Sequence, residues 1–183
     1  QRQMCIRDSL YGCLVAASVL LSACSLAIDS RETTIDGVAE LSSASWRGSL
    51  LELKGRWHIV QGPASYEEAL DLTRGMPQGL LQVPSYWEGA ITDSSGSPLP
   101  NNGDAYLVLE LELSNERPEL AVYIESAGSA HTLSIYDDDL LVGRVQAGRV
   151  AEFKEQEIPW WRPTILRIPN DTRRPTLVWH ISN

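Results

Sequence analysis

The chain has 183 residues, 43% hydrophobic and 21% charged, which suits one folded domain with a real core and argues against disorder. Acidic residues outnumber basic ones, 24 to 15, and no basic stripe runs along any segment. That balance excludes nucleic acid as the expected partner, because phosphate binding needs clustered Lys and Arg.

Residues 1–9, "QRQMCIRDS", lack the Met-Lys/Arg start of an export signal and resemble translated sequencing-adapter sequence, so they are set aside. Residues 10–27 read as a signal peptide, with a small, apolar stretch shorter than a membrane span. Leu21-Ser22-Ala23-Cys24 resembles a bacterial lipobox, making Cys24 the expected site of lipid attachment. Ser25-Leu26-Ala27 offers a rival site, with ordinary cleavage before Ile28. Cys5, Cys13 and Cys24 are the three cysteines. The remainder of the chain therefore holds no internal disulfide and no thiolate metal site. Residues 28–49 form a small, polar, extended lead-in, and residues 50–183 form the folded domain.

Short strand-like runs recur from Leu50. The first is Leu50–Val60. Tyr106–Leu113 alternates, with Leu107, Leu109, Leu111 and Leu113 on one face and Glu110 and Glu112 on the other. Leu120, Val122 and Ile124 share a face in the next run, as do Leu133 and Ile135 after it. Leu140–Val145, Thr164–Ile168 and Thr176–Ile181 complete the series. Turn residues separate the runs at Ser114-Asn115, Asp137-Asp138-Asp139, Gly148 and Pro169-Asn170-Asp171. One short helix opens at Ser65, where Ser65 and Glu68 make a capping box ahead of "YEEALDL". Thr92–Asp104 reads as a long loop. The expected fold is all-β: an antiparallel β-sandwich of galactose-binding-like jelly-roll type with one or two short helices.

No nucleophile elbow, phosphate loop or dinucleotide fingerprint is present. His58, His131 and His180 form no metal-binding pattern, and no cofactor is implied. Glu110 and Glu112 read as a solvated sheet face and not as a glycosidase pair. Asp137–Asp139 reads as a hairpin turn in preference to a calcium ligand set. These features point to a binding module and not an enzyme. The strongest surface candidate is Trp160-Trp161-Arg162. Adjacent residues on a strand face opposite sides, so one indole is expected in the core and the other in solvent beside a guanidinium, an arrangement suited to stacking on a sugar ring. Two packed edge residues are the plainer alternative.

Leu53-Lys54-Gly55-Arg56-Trp57 and Val83-Pro84-Ser85-Tyr86-Trp87 resemble, in order and spacing, an L-x-G-x-W-x-F…V-P-x-x-W pattern. That pattern marks the export-side domain of bacterial seven-transmembrane receptors with diverse intracellular signalling modules, and of related membrane-bound cyclases and kinases. The domain is similar to the galactose-binding-like jelly-roll at the front of family 2 glycoside hydrolases. Asp36–Trp46 resembles the family's approach strand. Gly128–Gly148 resembles its hairpin, with Asp137-Asp138 where the family has Asn-Gly. Thr176–Asn183 resembles the last part of the domain, which in the family runs on, so truncation is expected here. The resemblance implies structural roles for Gly55, Trp57, Pro84 and Trp87. It also implies an exported, membrane-attached sensor domain with a small or carbohydrate-like ligand and an output module downstream. The rivals are a non-catalytic sugar-binding domain of an exported glycoside hydrolase and a free-standing surface lipoprotein that binds a partner.

Overall fold

The computed structural model describes residues 34–41, 51, 53–62, 65–75, 79–83, 97–98, 103–115, 117–150 and 156–182. Within them run strands β1 (Val38–Leu41), β2 (Gly55–Gln61), β3 (Gly79–Val83), β4 (Asp104–Leu113), β5 (Leu120–Ile124), β6 (Ala130–Asp137), β7 (Leu140–Ala147), β8 (Thr164–Ile168) and β9 (Pro175–Ser182). Helix α1 (Tyr66–Gly75) lies between β2 and β3.

The larger sheet has the order β3-β2-β4-β9-β6-β7, with β1 also on β4, and β5 pairs with β8 in a second sheet. One edge of β4 serves two strands. β2 pairs antiparallel with its first half, from Gln61↔Ala105 to His58↔Val108. β1 pairs parallel with its second half, from Val38↔Glu110 to Leu41↔Leu113. The other strand pairs are antiparallel, as the alternation predicts. β1 departs from that pattern and lies within the stretch read as a lead-in, so the sheet begins ahead of residue 50.

The core lies between the sheets. Ile59, Leu107, Leu109, Leu111 and Leu177 are buried there, and Leu120, Val122, Leu166 and Ile168 of the small sheet pack against them. Each fully buried aliphatic side chain contributes about 1.5–3 kcal/mol. A second cluster covers the opposite face, where Ala69 and Leu70 of α1 meet Tyr106, Val108, Tyr136 and Val178. β4 is therefore covered on both faces over its first half, while Glu110, beyond the helix, is exposed.

The capping reading holds at the helix start: Ser65 Oγ accepts the Glu68 N–H at 3.2 Å. Glu67 and Glu68 occupy the first turn and Arg74 the last, matching the helix dipole. Asp138 and Asp139 form the two-residue turn between β6 and β7, with Asp138 at φ 52°. Arg74 donates to Asp139 Oδ1 at 2.5 Å and to the Asp138 carbonyl at 3.3 Å, tying the helix end to the hairpin. The acidic turn thus meets a guanidinium.

Gly55 shows why a glycine stands in the Leu-Lys-Gly-Arg-Trp stretch. Its φ is 128°, and a methyl there would lie 2.2 Å from the Thr34 carbonyl oxygen. Trp57, two residues on, is 5% exposed and belongs to the core. Pro84 and Trp87 lie outside the described residues, as do Cys24, the signal segment and most of the expected loop 92–104.

Candidate functional site

The site is built on the segment that leads from β7 into β8. Arg149 and Ile158 exchange backbone hydrogen bonds at 2.9 and 3.0 Å. The Arg149 Nε–H donates to the Gln156 carbonyl at 2.6 Å. Glu157 fastens the same stretch to the large sheet. Its carboxylate accepts the Ala130 N–H at 3.4 Å and the Ser182 hydroxyl at 3.1 Å. Ala130 opens β6 and Ser182 ends β9, so one side chain fixes the segment to two neighbouring strands.

Trp160, Trp161 and Arg162 follow directly. They do not lie on a strand, which corrects the sequence expectation. Pro159 and Pro163 bracket them, and a proline can neither donate to a strand ladder nor adopt the extended φ of a central strand. The division of the two indoles nevertheless matches the expectation: Trp160 is half-buried and Trp161 is 70% exposed. Arg162 is exposed beside it.

The Trp161 ring rests on Gly128. A methyl at Gly128 would lie 3.2 Å from Cζ3 and 3.5 Å from Cη2 of the indole, and the backbone there has φ 69°. Glycine therefore meets two demands at once, a left-handed turn and room for a six-membered ring. The benzenoid part of the ring is seated on bare backbone while most of the indole remains in solvent.

Three residues after Gly128, His131 begins a row of three aromatic rings, of which His131 and Trp57 are buried and Trp179 partly so. His131 Nδ1 is 3.2 Å from the Ser129 carbonyl, and its Nε2 is 3.2 Å from Thr164 Oγ1. A carbonyl only accepts, so the proton sits on Nδ1 and Nε2 accepts the threonine hydroxyl. Burial pushes the His131 pKa below its ordinary 6.5, against the Ser129 hydrogen bond that raises it. The ring is thus a neutral structural link between β6 and the start of β8. Its edge meets Trp179 at 6.0 Å, and Trp179 meets Trp57 at 6.5 Å.

Two further exposed apolar residues escaped the sequence reading. Tyr123 of β5 and Ile165 of β8 are directly opposite each other on the open face of the small sheet, 46% and 61% exposed. The signal was present: if Leu120, Val122 and Ile124 face inward, Tyr123 faces out. Among the described residues, no three His, Cys, Asp or Glu groups come together to hold a metal ion. Glu112, on the sheet face read as solvated, accepts a hydrogen bond from Arg174.

No family model matches the chain and no curated relative matches it, so the likeness to receptor sensor domains rests on the quoted residues. Among solved structures, Ruminococcus gnavus β-glucuronidase is similar at 17% identity and a TM-score of 0.47, over 72% of this chain and 20% of that one. The same enzyme in complex with D-glucuronic acid matches at 16% identity and a TM-score of 0.47, over 72% and 21%. Its complex with uronic deoxynojirimycin matches at 15% and 0.47, again over 72% and 21%. The chain thus spans about a fifth of the length of those enzymes.

Proposed function

We propose that this domain is a non-catalytic binding module for a carbohydrate-like ligand, and that Trp161 is its platform. The observation that carries the reading is the seating of the Trp161 ring on Gly128, with most of the indole open to solvent. A fixed, flat, apolar surface suits the C–H face of a sugar ring, and the exposed Arg162 guanidinium beside it supplies donors for hydroxyl or carboxylate oxygens. Anchoring by Glu157 and the Arg149–Ile158 pair holds the platform in place before a ligand arrives, which lowers the ordering cost of binding.

In this proposal the module is exported and serves a larger protein. The Leu-Lys-Gly-Arg-Trp and Val-Pro-Ser-Tyr-Trp motifs support a sensor domain of a membrane-attached signalling protein, with Cys24 or downstream spans as the attachment. The same binding chemistry also suits a sugar-binding domain of an exported glycoside hydrolase. The gene beyond codon 183 separates the two: hydrophobic spans support the sensor, and a barrel with paired carboxylates supports the hydrolase.

The ligand test is a titration of the purified chain with a panel of neutral and acidic mono- and oligosaccharides, read by indole emission. Saturable binding by one class, abolished in Trp161→Ala, supports the proposal. Binding of equal strength in a folded Trp161→Ala variant removes Trp161 as the platform.

A further inference from the structure

A cleft of about 440 Å³ opens at the far end of β8 from the Trp161 platform, between the end of β4 and the turn joining β8 to β9. Its walls include Asn115, Arg117, Asn170, Asp171, Thr172 and Arg173. The volume is within the range of small-molecule sites.

Arg117 is the unusual member. One terminal nitrogen, Nη2, donates to three backbone carbonyls of the turn: Pro169 at 3.0 Å, Asn170 at 3.1 Å and Thr172 at 2.8 Å. The Thr172 hydroxyl also donates to the Pro169 carbonyl at 2.8 Å, so the turn is internally fixed. The other terminal nitrogen, Nη1, is buried with no hydrogen-bond partner. A guanidinium nitrogen removed from water and left unpaired is costly, and charged donors are the costliest to leave so. Among the described residues, three acceptors meet one nitrogen and none meets its neighbour.

Among the described lining residues, Arg117 and Arg173 stand against the one carboxylate of Asp171, in a chain whose net charge is −9. The amides of Asn115 and Asn170 add neutral donors and acceptors.

We propose that this cleft is a second ligand site, separate from the Trp161 platform, and that it takes a small hydroxycarboxylate. The ligand carboxylate accepts from the exposed Arg173 guanidinium and, after a small shift that uncovers it, from Arg117 Nη1, while Asp171 accepts from a ligand hydroxyl. Charge-assisted pairing of this kind is stronger than neutral hydrogen bonding. A simple cation site is disfavoured by the two guanidinia. A purely neutral polyol leaves both of them without a charged acceptor.

Tartrate is the probe, with threitol as its uncharged counterpart and inorganic phosphate as the competing anion. Binding is measured by calorimetry and by amide chemical shifts of the full chain. Saturable tartrate binding is expected, with shifts concentrated at residues 113–115 and 170–173 and none at Trp161. Threitol binds at least about tenfold more weakly, as expected when charge-assisted bonds are lost. Arg173→Gln, at an exposed side chain, weakens tartrate by a similar factor and leaves the thermal midpoint unchanged. Arg117→Lys keeps a cation and loses the fork, and is expected to weaken binding further. If Arg117→Lys fails to fold, Arg173→Gln and Asn115→Ala still decide the matter. Equal binding of threitol, tighter binding of phosphate, shifts centred on Trp161, no tartrate binding, or tartrate binding untouched by Arg173→Gln and Asn115→Ala each overturn the proposal. A loss of sugar binding in Trp161→Ala bears on the platform alone, so the two readings fail separately.

Discussion

His180 lies flat on Tyr106, with ring centroids 4.2 Å apart and planes 1° apart. Tyr66 of α1 meets both rings edge-on, at 5.4 Å from Tyr106 and 6.0 Å from His180. The Arg144 guanidinium sits 4.5 Å from the Tyr66 ring centroid. This stack fastens the helix to the outer face of the large sheet. Burial lifts the Tyr106 hydroxyl to about 12 and so keeps it neutral. His180 Nε2 lies 3.4 Å from Asp104 Oδ1, yet the burial of the ring outweighs that carboxylate and pushes the pKa down.

Stability is therefore expected to fall in mild acid. Burial lowers the pKa of His58, His131 and His180 alike, and in each it is the largest cause. The unfolded chain takes up protons near the ordinary 6.5, while the folded chain resists until lower pH. Stability is thus complete above about pH 6.5 and is lost as pH falls toward the folded values. Urea midpoints measured from pH 7.5 to pH 5 are expected to decrease. A flat or rising series contradicts the assignment of these histidines as neutral in the folded chain.

Gly128→Ala is expected to disturb the Trp161 seat. The added methyl meets the indole at 3.2 Å and requires a left-handed residue at φ 69°. The strain costs about 1 kcal/mol or more. Because the ring is largely exposed it can swing aside, so its emission should shift even where the fold persists. Unchanged emission and unchanged stability together contradict the described contact.

Trp57→Ala and Trp161→Ala are expected to separate scaffold from platform. Trp57 is 5% exposed within the main core, and its truncation should cost about 3–5 kcal/mol. Trp161 is 70% exposed, and its truncation should stay within about 0.5 kcal/mol. Chemical denaturation of the two variants distinguishes the roles; comparable losses at both positions refute the division.

Asp139→Asn tests the helix-to-hairpin tie. Both partners of the Arg74–Asp139 pair are largely exposed, so its loss should cost no more than about 1 kcal/mol and less in high salt. Millimolar calcium is expected to leave the thermal midpoint of the native chain unchanged. A calcium-dependent rise that disappears in Asp139→Asn would instead make the turn a metal ligand.

Legibility in the sequence followed the range of the interaction. Leu107, Leu109 and Leu111 declared the inner face of β4 because strand alternation is local. The Ser65 cap was readable for the same reason. β3 was missed: Gly-Leu-Leu-Gln-Val has adjacent leucines and no alternation, and it gains strand character only by pairing with β2. β1 was read as lead-in because four residues carry little periodicity and its parallel partner is far along the chain. At the site, the exposure of one indole was legible from the Trp pair. Its seat on Gly128, the Glu157 anchors and the His131 link depend on residues remote in sequence, which no local pattern reveals.

The most direct measurement is calorimetric titration of the purified chain and its Trp161→Ala variant with the saccharide that gives the strongest indole response. The account predicts saturable binding to the native chain and at least about a tenfold loss in the variant, consistent with removal of a stacked aromatic surface, at unchanged thermal stability. Equal affinities for the two proteins, or no saccharide binding by the native chain, would contradict it.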